Sequence, residues 1–209
     1  EDAAPHDSFG LGLALDGDTL VAGSMHDHDG LDQSGAIYIY GFEEELWRLQ
    51  DTRTPADVDE HDNFGWQVDI GGETIVAGAP RQNVVGMSSG AAYVFEREAG
   101  KWSETAKLVP GDGAAYDSFG WSVAIHGDTI VVGACGADAA EVRDTGAVYA
   151  FIRRGGEWTE QARLASPDPS AGARFGSDVA VHEDVLFASS PFQPLDGLER
   201  VGLVHRFER

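Results

Sequence analysis

The chain has 209 residues, 42% of them hydrophobic, and its 36 acidic and 14 basic residues give a formal net charge of −22. This length supports one sizeable core, and because no apolar run of 18 residues is present we expect no insertion into a membrane. The acidic excess disfavours nucleic acid as a partner. It also repels itself unless salt screens it, which favours a protein adapted to high salt over an acidic cation-binding surface in ordinary salt.

One pattern occurs four times along the chain. A Phe-Gly pair opens each copy, at Phe9, Phe64, Phe119 and Phe175. The nearly constant spacing predicts a single domain, 1–209, that uses one supersecondary unit four times. The repeats are predicted at about residues 7–61, 62–116, 117–172 and 173–209.

Each repeat predicts short antiparallel strands. The first strand alternates large and small side chains and is predicted over residues 9–15, 64–70, 119–125 and 175–181. A tight turn, with Gly in three of the four copies, leads to a β-branched second strand over residues 19–22, 74–77, 129–132 and 185–188. After a variable loop, the third strand is predicted over residues 35–40, 90–95, 146–151 and 202–207. A charged fourth strand begins at Trp47, Trp102 and Trp158, and its charge fits an outer edge.

These elements predict an all-β fold, because helical periodicity is absent. Four-stranded antiparallel units repeated in sequence are typical of a β-propeller, in which each sheet packs on its neighbours. The fourth repeat contains only three strands, so its outer strand is either missing or supplied by Glu1 to His6 or by another chain. An unpaired sheet edge is a template for strand addition, so we expect copies of the chain to associate through it.

The motifs Phe-Gly, then Gly-Ala-Pro at Gly78 to Pro80, then Gly-Ala-Val-Tyr at Gly146 to Tyr149 resemble the FG-GAP repeat of integrin alpha-subunit propellers and many microbial surface proteins. The resemblance implies a β-propeller of four FG-GAP repeats, located on or outside the cell surface. Integrin-type calcium sites lie between the first two strands. Here that connection is too short to wrap a cation, so we expect those sites to be absent. The family is best known for seven blades, and four repeats leave open a four-bladed ring, half of a larger ring or a fragment.

One loop carries a partial calcium-binding pattern. Asp27, Asp29 and Asp32, with Gly30 at the bend, form Asp-x-Asp-Gly-x-x-Asp. The sequence therefore predicts a possible calcium site, and the alternative is a solvated acidic loop. His26 and His28 could instead contribute to a transition-metal site.

Several other residues have two readings. The turns before the first three Phe-Gly pairs carry Asp7, Asp62 and Asp117, whereas the fourth has Ala173 and Arg174. These aspartates could bond local backbone or form a ring of cation ligands. Cys135 is predicted to be a small buried filler, and His205, which replaces a Tyr, to be a packing variant.

The sequence contains no signature of an enzyme. Its histidines are scattered, with no nucleophile elbow, phosphate-binding loop or zinc-pair spacing beside them. Trp47, Trp102 and Trp158 either stack on sugars or close the outer corner of each blade. The sequence favours a non-enzymatic, extracellular or cell-surface structural or adhesive module that binds copies of itself or other proteins. The alternative is a carbohydrate-binding (lectin-like) or receptor-like propeller.

Overall fold

A computed structural model describes residues 7–27 and 33–208, which form fifteen β-strands and no helix. The first sheet contains β1 to β4, at Phe9–Asp16, Thr19–Ser24, Ala36–Glu43 and Leu46–Arg53. The second contains β5 to β8, at Val68–Gly71, Thr74–Ala79, Ala91–Glu98 and Lys101–Leu108. The third contains β9 to β12, at Phe119–His126, Thr129–Ala134, Ala147–Arg154 and Glu157–Leu164. The fourth contains β13 to β15, at Val179–His182, Val185–Ser190 and Leu203–Glu208.

The strands follow one another in order across each antiparallel sheet, as in the blades of a β-propeller. The prediction that the fourth sheet has three strands where the others have four is confirmed within the described residues. The two-residue turns between the first and second strands have positive φ at Gly17, Gly72, Gly127 and Glu183. Gly meets this requirement at no steric cost in three sheets, and Glu183 adopts it in the fourth.

The first strands of the second and fourth sheets are shorter than predicted. They begin at Val68 and Val179, four residues after the Phe of the Phe-Gly pair. Phe64 and Phe175 instead form isolated parallel bridges to Gly35 and Gly146 of the preceding sheets. The predicted ranges 64–70 and 175–181 were therefore wrong at their start. Phe64 and Phe175 do not pair with the second strand of their own sheet, whereas Phe119 pairs with Ala134 of its own sheet as well as bridging to Gly90.

Successive sheets share three hydrophobic cores. One face of the first sheet, including Val21 and Ile37, packs on the second sheet. The second sheet packs in the same way on the third, and the third on the fourth. A closed ring of four would need one further core between the fourth and first sheets. The described residues form no cluster that joins those two sheets.

Glycines on the second strands set how closely the sheets approach. A Cβ atom added at Gly23, Gly78 or Gly133 would lie 2.0, 1.9 or 2.1 Å from the carbonyl oxygen of the Phe-Gly glycine in the next sheet. No real Cβ tolerates that distance, so the close approach needs Gly here. Ser189 occupies the equivalent position in the fourth sheet. No helix among the described residues is long and apolar enough to cross a bilayer.

Candidate interaction surfaces

The first sheet exposes a face that its neighbours bury. We call Phe9, Leu13, Leu15 and Trp47 the leading face; their equivalents in the second sheet, Phe64, Val68, Ile70 and Trp102, all lie in the core between the first two sheets. Phe9 is 54% exposed and Leu15 is 63% exposed, whereas Phe64 is 0% and Ile70 is 6% exposed. The leading face is thus an apolar surface of the kind that packs on another sheet, and no described sheet covers it.

The fourth sheet exposes the other side of the sheet, the one that in the first sheet packs on the sheet that follows. We call Ala180, Phe187 and Val204 the trailing face; their equivalents in the first sheet, Ala14, Val21 and Ile37, are buried against the second sheet. Phe187 is 43% exposed and Val204 is 70% exposed. The trailing face also differs in sequence, because Arg206 replaces Ile39 and Ser189 replaces Gly23.

A cleft with a volume of about 880 Å³ lies at the turns between the first and second strands of the first three sheets. Its charged groups already bond to one another. Arg153 donates to Asp128 at 2.7 Å and to Glu96 at 2.6 Å, and Arg97 pairs with Glu73. The guanidinium groups of this cleft therefore serve to join strands and sheets, and the cleft has no array of uncommitted cations for an anionic ligand.

The acidic turns before two of the Phe-Gly pairs are structural. The Oδ2 atoms of Asp62 and Asp117 each accept a hydrogen bond at 2.8 Å from a backbone amide, that of Asp59 and that of Ala114. Burial raises the pKa of both carboxyls above the usual range. This geometry agrees with the local-backbone interpretation. Among residues 7–27 and 33–208, no group of three or more His, Cys, Asp and Glu side chains is placed to hold a metal ion.

Only one carboxylate of the predicted calcium loop lies within the described residues. Asp27 is buried, and its Oδ2 atom accepts a hydrogen bond from the Tyr38 hydroxyl at 2.5 Å. Asp29 and Asp32 lie outside the described residues, so the calcium site stays a prediction.

In each of the first three sheets, a tyrosine on the third strand bonds to an acidic residue. The sequence analysis did not predict these hydrogen bonds. The Tyr93 hydroxyl donates to Asp57 at 2.7 Å and the Tyr149 hydroxyl donates to Asp112 at 2.8 Å. Burial works to raise the pKa of Asp57, but hydrogen bonds from Lys107 and Tyr93 outweigh it and leave that pKa low. The signal was present in the sequence, because Asp57 and Asp112 stand at the same distance before the two turn aspartates.

The tryptophans of the fourth strands mainly close the outer corners of the sheets. Trp102 is 3% exposed, with the Arg97 guanidinium 5.3 Å from its ring centroid, and Trp158 is half-buried under Arg153 in the same way. Trp47 is 42% exposed. Stacking on sugars, the basis of the carbohydrate-binding alternative, is therefore closed to Trp102.

Two further residues have the surroundings that the sequence predicted. Cys135 is buried, which raises the pKa of its thiol to about 11 and leaves it unreactive at neutral pH. His205 packs edge to face on Phe175 with ring centroids 5.4 Å apart, as Tyr93 does on Phe64 at 5.5 Å. His205 is therefore a packing variant of the Tyr.

A family model described as FG-GAP repeat matches the chain over residues 1–40, 47–95, 102–151 and 158–200. The chain belongs to the FG-GAP repeat family. Three of these FG-GAP matches begin at Trp47, Trp102 and Trp158, which lie on outer strands, and continue into the next sheet. Each of these FG-GAP repeats thus combines the outer strand of one sheet with inner strands of the following one. A comparison with curated proteins found no significant match.

Proposed function

We propose that this FG-GAP propeller is a non-enzymatic structural or adhesive module, outside the cell or on its surface, that associates end to end with copies of itself or with other proteins at high salt. FG-GAP repeats commonly occur in extracellular and surface proteins, which supports the location. The observation that carries the proposal is the exposed leading face, whose residue types match those buried between the inner sheets.

The leading face offers apolar surface that favours association. Burying one large apolar side chain stabilises by about 1.5–3 kcal/mol relative to leaving it exposed. Phe9, Leu13, Leu15 and Trp47 are each more than two-fifths exposed, so covering all four offsets much of the roughly 4–15 kcal/mol that association costs.

The trailing face of a second copy is the surface that matches the leading face best. The inner interfaces show the required pairing, because the equivalents of Phe187 and Val204 pack there on the next sheet. The match is imperfect, since the Ser189 side chain prevents the closest approach that Gly23, Gly78 and Gly133 allow. A contact between copies should therefore be looser than the inner interfaces and reversible.

Salt should strengthen this contact. Each copy carries a formal charge of −22, so two copies repel each other strongly in dilute buffer. The screening length falls from about 10 Å at 0.1 M to about 3 Å at 1 M ionic strength, which removes most of that repulsion while the apolar contact remains.

Sedimentation velocity tests the proposal with two variants of matched charge. It is measured in about 0.2 M NaCl, where charges are weakly screened, and in about 3 M NaCl, where they are strongly screened. The variant Leu13→Glu/Leu15→Glu places two carboxylates on the leading face. The control Leu46→Glu/Leu49→Glu adds the same charge to β4, where the other sheets already carry Lys101 or Glu157 and Glu104 or Glu160.

We expect the unmodified chain and the control to associate in high salt, and the leading-face variant to remain monomeric. A monomeric unmodified chain at high salt and high concentration would refute the self-association proposal. Equal association of both variants would also contradict it, because the leading face would then have no part in the contact.

A further inference from the structure

The fourth sheet leaves an apolar crevice where it packs on the third sheet. The crevice has a volume of about 200 Å³ and opens beside the outer edge of β15, with which no described strand pairs. Its walls include Val131, Ile152, Leu164, Val181, Leu186 and Phe207.

The same place is filled in the inner sheets. Trp102 of β8 is buried in the core between the first and second sheets, and Trp158 of β12 packs on the core between the second and third. Beside Trp102, Ile70 and Phe95 are almost fully buried, whereas their equivalents Val181 and Phe207 are only half-buried. The crevice is thus the space that an outer-strand tryptophan occupies elsewhere in the molecule.

The pairing of the inner sheets shows which strand fits beside β15. On the second sheet, β7 pairs with the outer strand β8 so that Arg97 lies opposite Trp102, Val94 opposite Ala106 and Ala92 opposite Leu108. The third sheet has the same register and a bulge at the same place. Both outer strands share the pattern Trp-Ser/Thr-Glu-x-Ala-Lys/Arg-Leu, at residues 102–108 and 158–164. In this register the small residue would face Arg206 and the Leu would face Val204.

A buried polar atom on β15 points to the same occupant. In the inner sheets the basic residue of the pattern reaches the tyrosine of the third strand: Lys107 lies over the Tyr93 ring, and Arg163 donates to the Tyr149 hydroxyl at 3.2 Å. His205 replaces that tyrosine, and its Nε2 atom is buried without a hydrogen-bond partner among the described residues. Burial lowers the pKa of His205, which keeps the ring neutral and able to accept a hydrogen bond at one nitrogen.

We propose that the outer edge of β15 and its crevice bind an extended strand of another polypeptide, with tryptophan in the crevice, a small residue four positions later, a basic residue next and then leucine. The bound strand adds to the sheet by main-chain hydrogen bonds, and the side chains give the specificity. This inference refines the proposed protein-binding role and rests on it, but it uses a surface separate from the leading face.

The chain itself supplies the probe. A labelled peptide of residues 99–110, which includes β8, is titrated with the full chain in high salt, and binding is followed by fluorescence anisotropy. The matched peptides are the same sequence with Trp102→Ala and a scrambled sequence of the same composition. The protein variant Val181→Glu puts a charge in the crevice. Its control, Leu46→Glu, adds the same charge to β4 of the first sheet, which has no part in the crevice.

We expect saturable binding with one site per chain, weakened at least about tenfold by Trp102→Ala in the peptide, because a buried Trp dominates such a contact. Val181→Glu should weaken binding by at least as much, whereas Leu46→Glu should leave it unchanged. No binding of the unmodified peptide would overturn the proposal, as would equal binding of the scrambled or Trp102→Ala peptide.

The outcome is separable from that of the proposed function. If the leading-face variant abolishes self-association while the peptide does not bind, the strand-binding inference fails and the proposed function stands. If the peptide binds as expected while the chain remains monomeric in high salt, the inference stands and self-association fails.

Discussion

The first and second sheets have equivalent residues but different surroundings. Phe64 and Ile70 of the second sheet are buried against the first, whereas Phe9 and Leu15, at the same positions in the first sheet, are mostly exposed. The difference arises from the presence of a preceding sheet and not from the residues themselves. A single blade of this kind cannot bury its own apolar face, so the end of the row keeps a surface suited to another sheet.

The fourth sheet differs from the inner sheets in the residues themselves. Its departures from the repeat pattern include three positions that would face a following sheet: Phe187, Ser189 and Arg206. These residues are larger or more polar than their equivalents in the inner sheets, so the trailing face would pack less closely on a following sheet than the inner faces do. The leading face and the trailing face therefore differ in composition, the first being apolar and the second carrying Ser189 and Arg206.

The largest expected effect on the free energy of unfolding comes from comparing two Phe→Ala variants, one at a position between sheets and one at the equivalent position of the first sheet. Phe64→Ala should lower the free energy of unfolding by about 3–5 kcal/mol because a fully buried Phe leaves a cavity. Phe9→Ala should cost clearly less, since Phe9 is 54% exposed. Urea denaturation of the monomer measures both values, and equal losses would contradict the view that the leading face is uncovered.

A smaller effect should separate two glycines of the Phe-Gly pairs. Gly120 and Gly10 both have positive φ, 89° and 81°, so replacing either with Ala incurs similar backbone strain. At Gly120 the added Cβ would also lie 2.2 Å from the Ala91 carbonyl oxygen, whereas at Gly10 it meets nothing within 4 Å.

We expect Gly120→Ala to be more destabilising than Gly10→Ala by about 1–3 kcal/mol, the usual cost of overpacking. Thermal unfolding in dilute protein measures the difference. In the associated state Gly10→Ala should become more harmful if a second copy covers the leading face, so repeating the measurement at high concentration sharpens the comparison.

The smallest effect concerns the pH dependence of one contact between inner sheets. Asp69 accepts a hydrogen bond at 2.7 Å from the backbone amide of Ile125 in the third sheet. Burial raises the pKa of Asp69 above its ordinary value of about 4, despite the hydrogen bonds from Ile125 and Ile70 that oppose the shift. A raised folded-state pKa means that the stability due to protonation is complete below the ordinary value and is lost as pH rises through the folded value.

The contribution of Asp69 to the free energy of unfolding should therefore fall as pH rises from about 4 towards neutrality, and Asp69→Asn should make the slope of that free energy against pH less negative. Asp16→Asn is the control, because the Asp16 carboxylate also bonds a backbone amide of the next sheet, that of Gly72, but from an exposed position. Denaturant titrations at several pH values measure the slopes. An unchanged slope in Asp69→Asn would show that this carboxyl does not titrate in the expected range.

Much of the fold was predictable from local patterns. The alternation of large and small residues, the glycines with positive φ and the order of strand types predicted four antiparallel sheets and the three-stranded fourth one. Each of these signals acts over a few residues, which is the range that alternation and turn geometry cover. The same reasoning predicted that His205 would pack as a tyrosine does, because its position in the strand defines its neighbour Phe175.

Contacts between sheets were beyond that range. Phe64 and Phe175 bridge to Gly35 and Gly146 of the preceding sheets, and no local pattern marks these contacts. Asp27, one of the predicted calcium ligands, accepts a hydrogen bond from Tyr38, which the loop pattern did not predict. The exposure of Phe9 and the burial of Phe64 were likewise decided by tertiary structure. Burial depends on which sheet lies opposite, and two equivalent Phe residues do not differ in sequence in a way that reveals this.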